Sequence, residues 1–177
     1  EYMAEYERYY KEYLTGYESM ELFSTGATLG VRESRRIKCD YTLDINDFNS
    51  RAVFEDEIGR FSYPVDIHIM APDKKSYEKF EQEFKTLRYK SGESYGITYR
   101  CLLPSGLENA FVCGRCVGTD RQMEASIRVM PGCYITGQAA GAGAALACER
   151  NGEVRSVKIG ALQESLSALG AYLPNRA

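Results

Sequence analysis

A chain of 177 residues is long enough for one ordinary domain with its own core, and 44% hydrophobic against 27% charged residues is the balance of a soluble globular protein. A net charge of −3 with no basic run excludes a nucleic-acid surface and a polybasic membrane-surface segment. The six cysteines show no pairing framework, and the single histidine leaves no Cys/His set for zinc.

Residues 1 to about 23 place tyrosines at 2, 6, 9, 10, 13 and 17, a helical stripe with charges between, so an amphipathic helix laying its tyrosine face on the body is expected. Gly16 is its natural stop. From Ala27 to Leu43 the pattern turns extended, with Arg32, Arg35 and Arg36 among apolar residues, and predicts one or two strands. Asp44 then caps a short helix reaching Asn49. Residues 62–68 alternate Val65 and Ile67 against Asp66 and His68, predicting a half-buried strand with Pro64 near its start or on an edge. His68 is the only side chain whose unperturbed titration lies near neutral pH. Residues 71–91 read as a short surface helix, and Tyr95 to Leu103 as a further strand carrying Tyr99 and Arg100.

The most informative stretch follows. Ala110 to Cys113 reads as a short buried strand closed by Gly114. Pro131 then suits the first turn of a Gly/Ala-rich helix running to about Ala147, in which Gly137 and Gly141 lie one turn apart and predict a bare face for close packing. Arg128 stands just before that helix, where free N–H groups and the helix dipole already favour an electron-rich ligand. Asn151-Gly152 forms a stop, and Ile159 to Leu169 a last amphipathic helix closed by Gly170. The apolar run from Met130 to Cys148 holds Thr136, Gln138 and many small residues, and makes a poor bilayer span.

The segments GLENAFVCGRC and SIRVMPGCYITGQAAGAGAA resemble the C-terminal flavin-binding segment of FAD-dependent oxidoreductases of the glutathione-reductase-like flavoprotein superfamily. The likeness extends through GVRESRRIKCDYTL, SYPVDIH and YGITYRCLLPSGLEN, in the same order, over roughly residues 26 to 173. It implies an α+β or α/β fold: antiparallel substrate-domain strands, then the last strand and Gly/Ala-rich helix of the FAD domain, with flanking helices. Residues 1–104 would be the substrate-binding region and 105–177 the C-terminal segment of the FAD-binding domain.

The activity implied is hydride transfer from a small-molecule substrate, anionic or polyhydroxylated, to FAD. His68, Arg35, Tyr99 and Arg100 would face the substrate, and Gly114, Arg115, Arg128, Val129, Met130, Gly137 and Gln138 the cofactor. Arg115 stands where many relatives carry an acid, which suits a phosphate better than a ribityl hydroxyl. The Gly-x-Gly-x-x-Gly turn of such proteins is not in this sequence, because Leu146 occupies the third position after Gly141 and Gly143. The chain is therefore expected to be the C-terminal part of a longer flavoprotein, to hold no FAD alone and to associate through its Gly/Ala face or through a partner chain. Any signal sequence would lie on the missing part, which leaves localisation open. Two other classes stand beside this one. One is a non-catalytic binding or scaffold fragment. The other is a thiol–disulfide oxidoreductase using Cys113 and Cys116, against which Cys113 reads better as a packed residue ending a buried strand.

Overall fold

The computed structural model describes residues 2–33, 35–67 and 73–175, and the chain divides into two units, 1–31 and 32–177. In the first, α1 (Tyr2–Tyr13) forms as the tyrosine stripe predicts, and Gly16 follows it at φ 96°. Its tyrosines meet one another, Tyr9 and Tyr13 at 5.1 Å between ring centroids and Tyr6 and Tyr10 at 6.0 Å. Lys11 pairs with Glu7 one turn back at 2.7 Å.

Among its described residues, the second unit is helical around one two-stranded antiparallel sheet. Its elements are α2 (Ile45–Ser50), β1 (Glu57–Phe61), α3 (Lys74–Thr86), β2 (Tyr95–Thr98), α4 (Arg121–Ile127), α5 (Met130–Cys148) and α6 (Ile159–Ala168). Three short 3-10 turns, at Tyr99–Leu102, Gly114–Cys116 and Val154–Ser156, join them. This is a mixed α+β arrangement with less strand than expected. The described residues between 27 and 43 form no regular strand; their sheet-like contacts are single bridges, Cys39 to Pro104 and Leu43 to Thr119. Ala110–Cys113 is likewise irregular, held by one bond from Val112 N–H to the Leu102 carbonyl, and Cys113 is exposed rather than buried. The strand expected at 62–68 lies one segment earlier, at Glu57–Phe61. His68 lies outside the described residues.

The helix starts are local chemistry. Asp44 accepts from the N–H groups of Asn46 and Asp47, and Asp47 returns a bond to Asp44 N–H, a reciprocal capping box. Asp120 caps α4 through Met123 N–H at 2.7 Å, while its other oxygen takes Ile45 N–H at 3.1 Å. One carboxylate thus fixes the starts of two helices. β1 and β2 pair from Glu57↔Thr98 to Phe61↔Tyr95 with a bulge between Glu57 and Gly59. Leu43, Phe48, Ile58, Ile97, Leu102, Met123, Ile127, Leu162 and Leu166 are all at most 1% exposed and form the core.

α5 runs through that core, and the sheet seats it. A Cβ on Gly59 of β1 would lie 2.6 Å from Ile135 Cγ2 of α5, so strand and helix touch nearly at backbone distance. α6 packs against both α5 and β1, and its Gln163 Nε2 donates to the carbonyls of Glu55 and Glu57 at 2.9 and 3.1 Å. None of the described helices is long and apolar enough to cross a membrane.

The close-packed glycines of α5 are not the pair expected. Nothing lies within 4 Å of a Cβ built on Gly137 or Gly141, whereas one on Gly132 would sit 2.1 Å from the Ile127 carbonyl oxygen, and one on Gly143 would sit 3.1 Å from Phe111 Cζ. The buried face is Gly132, Thr136, Ala139, Ala140, Gly143 and Ala147. Gly137→Ala should therefore stabilise the chain by about 0.5–1 kcal/mol, the ordinary helix-interior gain of alanine over glycine. Gly132→Ala should destabilise it, because a fixed carbonyl must move. Urea midpoints that rank the two variants the other way would reject this orientation of the helix.

Candidate functional site at the start of the long helix

Four segments converge where α5 begins. α4 ends at Ile127, Arg128 is still helical, and Val129 turns extended at φ −71°, ψ 158° to cap α5 without a side-chain bond. The first bond inside the helix runs from Cys133 N–H to the Val129 carbonyl at 3.0 Å. Met130 and Gly132 precede it, and Pro131 has no N–H to satisfy. Among the described residues, the Met130 and Gly132 N–H groups meet no acceptor, and the first turn holds no acid. These are donors at the positive end of a nineteen-residue helix.

The Gly114–Cys116 turn is fastened to this first turn by Thr136. Gly114 adopts φ 71°, and its N–H donates to Thr136 Oγ1 at 2.9 Å while that hydroxyl donates to the Gly132 carbonyl at 3.0 Å. The fourth segment arrives through Ile37 N–H, which donates to the Cys116 carbonyl at 2.9 Å. It brings in Arg36, whose Nη1 donates to Glu124 Oε2 at 2.8 Å. The Glu124 side chain is 1% exposed, and its Oε1 has no partner among the described residues.

Arg128 does not present the bare cation that its position suggests. Its side chain is 8% exposed; Nη1 donates to Glu33, and Nη2 donates to the Asp66 carbonyl at 2.9 Å with the Asp66 carboxylate at 3.8 Å. Its charge is thus answered by two acids, and it ties residues 33 and 66 to the junction of α4 and α5. Arg115, Met130 and Gln138 are exposed on the outside of the junction, and Gly137 is half-buried beside them. Arg35 is exposed and takes no part; the arginine that reaches inward is Arg36.

Cys133 gathers with Cys113, Cys116 and Arg115 close enough to interact electrostatically, and all six cysteines are free. Burial raises the Cys133 thiol, the direction opposite to a reactive thiolate. No cluster of three or more His, Cys, Asp or Glu among the described residues could hold a metal ion.

Tyr99 and Arg100 lie elsewhere. Tyr99 is 3% exposed, donates its hydroxyl to the Val154 carbonyl at 2.8 Å and packs near Gly143. Gly143 comes eleven residues after Gly132 in the helix, roughly 16 Å along the axis at the ordinary rise per residue. Arg100 holds Asp56 through Nε at 3.0 Å and Nη2 at 3.3 Å, with its guanidinium 5.0 Å from the Tyr41 ring centre. Both line a cleft of about 590 Å³, together with Asp40 and Arg155. The family resemblance implies that Tyr99 and Arg100 face a substrate beside the flavin; Tyr99 packs instead near Gly143, well along α5 from its start, and Arg100 is held by Asp56.

Sequence reasoning missed Arg36, Glu124 and Thr136. Thr136 carried one available signal, as the only hydroxyl-bearing side chain besides Tyr134 between Met130 and Cys148. Neither a curated protein nor a solved structure matches this chain. Residues 1–166 match the family described as FAD dependent oxidoreductase. That match spans most of the 177 residues, and the chain belongs to this family of FAD-dependent oxidoreductases.

Proposed function

We propose that this chain supplies the substrate-binding and flavin-capping side of its enzyme, with one edge of the FAD isoalloxazine at the start of α5. The observation that carries this is the uncapped first turn of α5, with the Met130 and Gly132 N–H groups unbonded among the described residues and the Gly114 turn held beside them by Thr136. Such donors fit the N1/C2-carbonyl edge, where negative charge grows as the ring is reduced. The residues fit that edge and not the pyrophosphate: Gly141 and Gly143 lie in mid-helix, where their N–H groups are spent inside α5. The phosphates and adenosine would be held by a partner unit N-terminal to this one, whose strands would also cover the open face of Gly137, Gln138, Gly141 and Ala144.

When bound, the isoalloxazine accepts a hydride from a substrate C–H bond. The chain's own residues orient and exclude. Gly114 and Arg115 would stand over the ribityl chain, and Val129 and Met130 would face the ring. Arg128 and Thr136 would hold these elements in place rather than touch the cofactor. In this reading residues 105–177 carry the flavin contacts and residues 1–104 the substrate region.

The chain alone should come through gel filtration without FAD. Joined to the unit that binds the phosphates it should retain FAD, and there Met130→Glu should lower both FAD retention and the flavin potential. Met130 is 70% exposed and a carboxylate in the first turn favours the helix, so the variant should fold at least as well as the parent. An unchanged flavin content and potential in that variant would move the flavin away from α5. A yellow, stoichiometrically loaded chain alone would refute the shared site.

A further inference from the structure

The cleft lined by Arg100 lies apart from the start of α5 and is large enough to take a small molecule. Its volume of about 590 Å³ falls within the range of small-molecule sites. Its floor is buried, with Leu103 at 3% and Val157 at 5% exposed, while Phe54 and Ile159 add apolar wall. Two arginines flank it, each already closed on an aspartate. Arg155 takes Asp40 through Nε at 2.7 Å and Nη2 at 3.0 Å, and Arg100 takes Asp56 through the same two nitrogens.

These pairings decide the ligand's charge. An incoming anion would have to displace an aspartate from a two-point pair, and with Glu55 the lining carries three acids against two arginines. A cation would find the oxygens of Asp40 and Asp56 already engaged by the arginines, which leaves it only the exposed Glu55 carboxylate. A hydroxyl has neither difficulty, because it can accept from a guanidinium and donate to the adjoining carboxylate without separating them. The Arg100 side chain is 48% exposed, and its Nη1 has no acceptor among the described residues. The apolar wall matches the C–H face of a saturated ring whose edge carries such hydroxyls.

We propose that this cleft binds a neutral polyhydroxylated ring of the pyranoside kind, at a site separate from the start of α5. The assignment does not rest on the flavin reading, since it uses no residue of the α4–α5 junction.

The test is an amide-shift titration of the isotope-labelled full chain with methyl α-glucopyranoside, methyl α-galactopyranoside and myo-inositol, beside sodium glucuronate and leucine. At least one neutral probe should move the signals of Phe54, Asp56, Arg100 and Arg155 saturably and raise the melting temperature. Arg100→Lys keeps the charge but loses the planar fork, and should weaken that binding about tenfold while the remaining spectrum stays unchanged. Tighter binding of glucuronate or leucine at these residues would overturn the proposal. So would the absence of saturable shifts with all three neutral probes, or an unchanged affinity in Arg100→Lys.

Discussion

Replacing Arg60 with alanine is expected to cost the fold about 3–5 kcal/mol, the range for removing one partner of a buried ion pair. Arg60 and Glu57 both sit on β1, with side chains 8% and 1% exposed and Nη1 2.6 Å from Glu57 Oε1. The same guanidinium holds Ser94 through Nε at 2.8 Å and the Ser94 carbonyl through Nη2 at 2.7 Å, which locks β1 to the start of β2. Without it Glu57 would keep only Phe54 N–H at 3.2 Å, and its Oε2 already lacks a partner among the described residues. The carboxylate lies over Gly96, where a Cβ would stand 2.2 Å from Oε1, so its place depends on that glycine. The loss should reach the candidate site too, since β1 seats α5 through Gly59 and Ile135. Urea unfolding measures it, and adding Glu57→Gln to Arg60→Ala should recover part of the cost by removing the stranded charge. A cost for Arg60→Ala below about 1 kcal/mol, the worth of an exposed pair, would show that the pair is open to water.

The same pair explains why β1 was not legible in the sequence. Glu-Ile-Gly-Arg-Phe shows no apolar alternation, because pattern reading sends charged residues outward, and here both charges turn inward on each other. Caps, by contrast, were legible where one side chain acts on the next turn: Asp44 was read from its neighbours, and the structure keeps it. α5 was legible in extent but not in orientation. It is apolar all round, so periodicity does not say which glycines face the core, and only the packing of Ile127 and Phe111 assigns that to Gly132 and Gly143. Arg35 and Arg36 could not be told apart for a similar reason. In an irregular segment neighbouring side chains diverge, and Arg36 turns inward because Glu124, 88 residues later, is buried there. The pairing of Arg128 was hidden in the same way, being made with Glu33 and Asp66 rather than with anything beside it.

Raising the pH above about 10 should unfold the second unit cooperatively, because several of its core groups fold only as neutral acids. Tyr95 is fully buried, its hydroxyl 3.0 Å from Ser126 Oγ, and Tyr99 is 3% exposed; burial pushes both well above the ordinary tyrosine value. Tyr89, bonded to the Phe48 carbonyl, is raised by burial as well. Tyr41 is pushed up to about 12, first by burial and then by its hydrogen bond to Asp47. Burial also lifts Cys39 to about 11 and Cys101 well above its usual value. Each of these is a group whose folded pKa exceeds its unfolded one. Its contribution is whole below the unfolded value, near 9 for the thiols and 10 for the tyrosines, and is lost as pH climbs toward the folded value. Each fully buried group removes about 1.4 kcal/mol per pH unit in that window, and half-buried Tyr41 and Tyr89 less. Two tyrosines and two thiols losing stability together would exhaust a typical reserve of roughly 5–15 kcal/mol within about two pH units. Helix circular dichroism should therefore be lost together with the part of the tyrosinate absorbance that the buried rings Tyr95 and Tyr99 contribute. Tyr95→Phe should shallow the pH dependence at its alkaline limb, since one coupled proton is gone. Tyrosinate formation that completes while the helical signal stays intact would place these rings in water and contradict the core described here.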